Sequence, residues 1–159
     1  MGMLDKFSRL MAGGEVAVRH DAIEALTQCY VACAQRARRL ARHAEFAPHE
    51  YSAEALKELA AAEDTQARRL RDALHAADAA LPSLPDAPPL TGALNLWGRL
   101  VQDLEAHRAS ARRLRELAVH FADSLPSTAA LFDELCREDS IHCERLRTLI
   151  ARADPQALD

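Results

Sequence analysis

Four segments of this chain repeat apolar residues at alternating steps of three and four, and in two of them the centre of the stripe is polar. That spacing returns to one side of an α-helix at every turn, so each segment is built to bury a single face. Helix A is expected over about 15–45, with Ile23, Leu26, Tyr30, Cys33, Ala37, Leu40 and Ala44 inward. Helix B, about 50–79, sets Leu56, Leu59, Glu63, Gln66, Leu70, Ala73 and Ala77 in one register. Helix C, about 91–123, carries Trp97, Leu100, Leu104, His107, Ala111, Leu114, Ala118 and Phe121. Helix D, about 127–152, carries Phe132, Leu135, Asp139, His142, Leu146 and Leu149.

The links between these segments restrict the topology. Phe46-Ala-Pro48-His49 and Asp123-Ser-Leu-Pro126-Ser127 are short turns, so A with B and C with D are expected as antiparallel hairpins. The stretch from Leu81 to Leu90 holds four prolines in eight residues, which excludes helix and favours extended chain. Eleven residues at about 3.1 Å each reach roughly 34 Å, most of the length of a 30-residue helix. The expected fold is therefore an all-α four-helix bundle whose hairpins are joined by one long Pro-rich crossover, with B and C parallel. A simple up-down-up-down bundle is the alternative. Residues 1–14 form an N-terminal arm, a short amphipathic helix through Leu4, Phe7, Leu10 and Met11 broken at Gly13-Gly14. The bundle occupies 15–152, and 153–159 is a tail. The hairpins also match each other, A onto C with a shift of 74 and B onto D with a shift of 76.

A chain of 159 residues with 49% apolar and 28% charged side chains is long and apolar enough for one globular domain. Its net charge of −4 argues against nucleic acid as a partner. Arg36, Arg38, Arg39 and Arg42 read as a solvated helix face. The N-terminus lacks a signal-peptide apolar run, and no segment has the apolar length of a membrane span. Cys29, Cys33, Cys136 and Cys143 form no CxxC pair, so reduced thiols in the cytoplasm are the expectation. Apolar flank positions and the arm allow a homodimer.

The polar centre carries the functional information. If the stripes face inward, one core level holds Cys33, Glu63, Gln66, His107, Asp139 and His142, with Glu105 beside it, a further acid if it turns inward. An uncompensated buried charge costs several kcal/mol, against a total stability of about 5–15 kcal/mol. Three arrangements resolve this. A metal binds, since residues three apart on a helix can converge their carboxylate and imidazole on one ion. Or the layer is a closed hydrogen-bond and ion-pair network. Or the register differs and some of these groups reach water. Cys33 also reads as a small core hydrophobe, Tyr30 and Trp97 as core, and Asp103 with His107 as a surface pair at i,i+4. His20, His43, His49, His75 and His120 show no convergent spacing and read as surface or satisfied groups.

The motifs Glu63-Asp-Thr-Gln66 and Asp139-Ser-Ile-His142, with the stretch from Leu56 to Leu70, resemble the rubrerythrin branch of the ferritin-like superfamily. That family carries an acid on its first and third helices and Glu-x-x-His on its second and fourth. The resemblance spans about 15–152 and implies a ferritin-like bundle with an iron-type metal site and, for an enzyme, a metal-dependent oxidoreductase. This chain departs from the pattern. Helix A has no acid at the core level, His107 stands on helix C, Gln66 replaces a histidine, and Asp139 is one methylene shorter than Glu. Two or three acids neutralise one ion more easily than two. The metal hypothesis is thus a single Fe or Zn ion held by Glu63, His107, Asp139 and His142, with Gln66, Glu105 and Cys33 as weaker candidates. The rival is a non-catalytic bundle, a scaffold or interaction protein without metal, whose ancestral site became a hydrogen-bond layer.

Overall fold

In a computed structural model, residues 3–86 and 95–153 are described, and they form four helices with no strand among them. These are α1 (Met3–Glu45), α2 (Glu50–Ala76), α3 (Leu96–Phe121) and α4 (Pro126–Ala153). The expected helices are all present. Residues 87–90, the second half of the proline-rich stretch, and 91–94, expected in helix C, lie outside the described residues, as does the tail from 154 on. One expectation fails at the N-terminus: α1 continues through Gly13-Gly14 without the break placed there. Glycine weakens a helix by only about 1 kcal/mol against alanine, which the helical turns on either side can carry.

Local chemistry fixes the ends. At the end of α2, Asp78 adopts a left-handed backbone (φ 56°). Its N–H donates to the His75 carbonyl, and Ala79 N–H donates to the Leu74 carbonyl, both at 3.0 Å. This is the Schellman arrangement, which terminates the helix before Pro82. Asn95 caps α3 by accepting from the Gly98 N–H at 2.9 Å. Pro126 opens α4 at the first helical position, where the N–H has no acceptor within the helix and its absence costs no helix hydrogen bond.

The hairpins α1·α2 and α3·α4 form the main packing surfaces, and they meet through α1·α3 and α2·α4. Every neighbouring pair is antiparallel. Across α1·α2, Arg36 meets Glu63 and Cys33 meets Gln66. Across α2·α4, Glu58 meets Arg145 and Arg69 meets Glu134. Helices α2 and α3 therefore run parallel across the diagonal, as a lengthwise crossover requires. The crossover starts at the end of α2, and Pro85 already accepts from Arg38 at 2.9 Å, well along α1.

The core is two apolar blocks. One is built on Leu26, Leu70, Leu114, Phe121, Phe132 and Leu135. The other is built on Leu40, Leu56, Leu59, Leu100, Leu104 and Leu146. Between them lies a layer of buried polar groups: Arg36, Glu63, Gln66, His107, Asp139 and His142. Trp97, expected in the core, is 40% exposed. It sits in the first turn of α3, at the bundle end, where neighbouring helices no longer cover the stripe.

Candidate metal centre

The antiparallel pairing brings the middles of the stripes to one height. There α2 supplies Glu63, α3 supplies His107, and α4 supplies Asp139 and His142, one turn apart. All four are buried, and one ligand atom from each lies within 4.8 Å of the others.

Glu63 is the hub. Its Oε1 lies 3.1 Å from both His107 Nε2 and His142 Nδ1. Its Oε2 accepts from Arg36 Nε at 2.8 Å. Burial alone would raise this carboxyl's pKa. The His107 and His142 contacts and the Arg36 charge outweigh burial and hold it well below the usual carboxylate range.

Asp139 is the opposite case. It is fully buried, and neither carboxylate oxygen has a hydrogen-bond partner. Arg36 Nη2 is 3.6 Å from Oδ2, and His142 Nδ1 is 3.8 Å from Oδ1. Ser110 approaches from α3 without a hydrogen bond of good geometry. Burial raises this pKa, the negative charge of Glu63 adds to the rise, and the pull of Arg36 does not cancel it. An orphaned buried carboxylate is costly in any fold.

His107 is oriented from behind. Its Nδ1 lies 2.8 Å from the Asp103 backbone carbonyl oxygen, which can only accept, so the hydrogen is on Nδ1. Nε2 is thereby left facing Glu63 Oε1 and needs a proton or a metal ion on it. A histidine with one ring nitrogen tied to a carbonyl and the other presented to a site is the usual arrangement of a metal-binding imidazole. The Asp103 carboxylate is itself fully buried and held by Arg39 Nε at 2.7 Å and His43 Nδ1 at 2.6 Å.

Helix α1 thus gives the layer cations. Arg36, expected on a solvated face, is only 5% exposed and sits among the acids. Arg36, Arg39 and His43 follow the same three-four spacing as the apolar stripe, one position off it. That spacing was readable in the sequence and was obscured by the arginine-rich surroundings. His107 is buried, as its place on the stripe predicts, and Asp103 is buried with it, so the alternative of a surface pair fails; their link is through the Asp103 backbone.

The weaker candidates stand apart from the four. Glu105 turns outward and pairs with Arg108 at 2.7 Å, because two residues from His107 is more than half a turn around α3. Gln66 is buried, but its Nε2 donates to Glu138 Oε2 at 3.1 Å, toward the α2/α4 rim. Cys33 lies beside the layer, with Arg36 Nη2 3.2 Å from its sulfur, and burial pushes its thiol pKa up strongly. A buried thiol of this kind is a poor thiolate.

The group of four can hold a metal ion. A tetrahedral site with bonds of about 2.0–2.2 Å has ligand-to-ligand edges of roughly 3.3–3.6 Å. The separations of 3.1 and 3.8 Å around Glu63 and Asp139 bracket that edge. No described helix is long and apolar enough to cross a membrane. Comparison with known protein families and with curated proteins found no match to either.

Proposed function

We propose that this chain is a metalloprotein that holds one divalent transition-metal ion at the centre of a four-helix bundle, through Glu63, His107, Asp139 and His142. The observation that carries this reading is the Asp139 carboxylate, buried with neither oxygen hydrogen-bonded and only loose ion-pair contacts to Arg36 and His142. A cation among these groups gives Asp139 its missing partner and gives His107 Nε2 a ligand role consistent with its tautomer.

Charge favours one ion over two. Glu63 and Asp139 bring two negative charges, and the fixed guanidinium of Arg36 already offsets one of them. A single divalent ion leaves the layer with one positive charge. A second would leave three in a buried site, at prohibitive cost. Arg36 Nε also takes the Glu63 oxygen that a second ion would need. Two imidazoles with carboxylates suit Fe(II) or Zn(II). When bound, such an ion supplies Lewis acidity or, as iron, one-electron chemistry, and an oxidoreductase is the matching enzyme class. Free thiols at all four cysteines suit the cytoplasm.

One observation favours the rival reading, a scaffold without metal: Glu63 is fully satisfied by Arg36, His107 and His142. Anaerobic titration of untagged, chelator-treated protein with Co(II) separates the two. The metalloprotein reading expects visible d–d absorption that saturates at one ion per chain and is lost in Asp139→Ala. Flat spectra from protein that is folded by circular dichroism would leave the scaffold.

A further inference from the structure

A second feature lies directly against the layer. Between α1 and α3 runs a cleft of about 370 Å³, open to solvent, within the size range of small-molecule sites. Arg36, Arg39 and Arg113 line it, and no acid does. Arg36 is shared: one side of its guanidinium holds Glu63, and the residue also forms cleft wall. Ser110 is likewise a cleft residue, and it approaches Asp139 from α3.

Two of the three cations are not used up. Arg39 binds Asp103 through Nε, while its Nη2 is buried with no partner. Arg113 has only a loose contact, 3.9 Å to Glu116 on an exposed face. The rest of the wall is largely apolar, including Ala32, Ala106 and Leu114. A one-signed cleft with low-dielectric walls concentrates counter-charge. Arginine forks match a carboxylate in particular.

We propose that the α1/α3 cleft binds a small organic acid, its carboxylate on Arg39 and Arg113 and its short apolar body on the alanine and leucine wall. The bound acid lies one side chain away from the metal layer, separated from it by Arg36. That it is the substrate of the layer rests on the metalloprotein reading. The cleft's affinity for it does not.

Hexanoate and the neutral isostere hexanamide are the probes, followed by ligand-observed NMR and calorimetry on full-length protein, metal-free and Zn(II)-loaded. Hexanoate is expected to bind roughly tenfold or more tightly than hexanamide. Arg113→Gln, at an exposed position, should remove most of that preference while metal content stays at the wild-type level. Ser110→Tyr should block the cleft to both probes. Equal binding of acid and amide overturns the proposal, as does hexanoate affinity unchanged in both variants. No binding at about millimolar concentration overturns it too. Zinc uptake without hexanoate binding sinks the cleft alone. Hexanoate binding by protein that takes up no metal sinks the metal reading and leaves the cleft.

Discussion

His107 Nδ1 lies 2.8 Å from the backbone carbonyl oxygen of Asp103, and this contact decides which face of the imidazole the site receives. The carbonyl belongs to the preceding turn of α3, so the tautomer is set by the helix itself. Arg39 and His43 clamp the Asp103 side chain, and α1 thereby locks the turn that aims Nε2 at Glu63. Removing that clamp should loosen the site without touching a ligand. Asp103→Ala leaves the partly buried Arg39 and the buried His43 beside each other without an acid and is expected to destabilise the fold by about 3 kcal/mol. His43→Gln keeps a donor at this position and should cost about 1 kcal/mol. Chemical denaturation measures both.

Asp139 should be a burden in the absence of metal. Replacing it with leucine removes a buried carboxylate that makes no hydrogen bond and leaves Arg36 paired with Glu63, so metal-free Asp139→Leu is expected to be as stable as wild type or more stable by about 1–4 kcal/mol. Metal retention should fall at least tenfold. Thermal melts with and without Zn(II) read both effects, and the ligand-induced shift seen in wild type should disappear.

Arg36 is the fixed counter-charge, and its loss should act in the opposite direction. Arg36→Leu strands Glu63 and Asp139 together and is expected to cost the metal-free protein about 3–5 kcal/mol. Added metal should restore part of that loss, because the ion then supplies the missing positive charge. Arg36→Glu with Gln66→His adds two ligands and removes the cation. Metal content should rise from one to two ions per chain, as measured by elemental analysis.

The two carboxyls give opposite pH dependences in metal-free protein. Glu63 has its pKa lowered on folding, so it contributes stability above its ordinary value of 4.5 that is lost as pH falls below it. Asp139 has its pKa raised from 3.8, so folding favours its protonated form, and stability is lost as pH climbs from 3.8 through the raised value. The stability difference between Asp139→Leu and wild type should therefore widen with rising pH across that interval. A difference that stays flat from acid to neutral pH would contradict the burial of Asp139.

Cysteine chemistry checks the rotation of α1 independently. Burial, only partly offset by Arg36 and Arg113, pushes the Cys29 thiol up to about 11 from an ordinary 9.0. At neutral pH that leaves about a hundredfold less thiolate than an exposed cysteine has. Alkylation of folded protein followed by mass spectrometry should find Cys29 slow and Cys33 slower still.

The stripe of helix D is legible to the residue, and that of helix B as far as Leu70; beyond it α2 buries Leu74 rather than Ala73 and ends before Ala77. A carboxylate at Glu63 or Asp139 interrupts an otherwise apolar register, and that interruption marks the layer in the sequence itself. The same logic failed for α1, where the polar contribution comes from arginine. Long, flexible and usually solvated, arginine gives no sign in sequence of whether its guanidinium is turned in or out, so Arg36 was placed on the surface. Trp97 failed for a different reason: periodicity specifies a face of a helix but not where its neighbours stop. Glu105 was settled by helical rotation alone once His107 was fixed inward. The proline-rich link suggested a crossover from length, and the antiparallel contacts of α1 with α3 and α2 with α4 identify it as one.

Elemental analysis of untagged protein, reconstituted anaerobically with Fe(II) or Zn(II) and then desalted, tests the central claim most directly. We expect one ion per chain in wild type, with near-total loss in Asp139→Leu and His142→Ala variants that are still folded by circular dichroism. No retained metal in folded wild-type protein would contradict the account, and so would an ion that survives both substitutions undiminished.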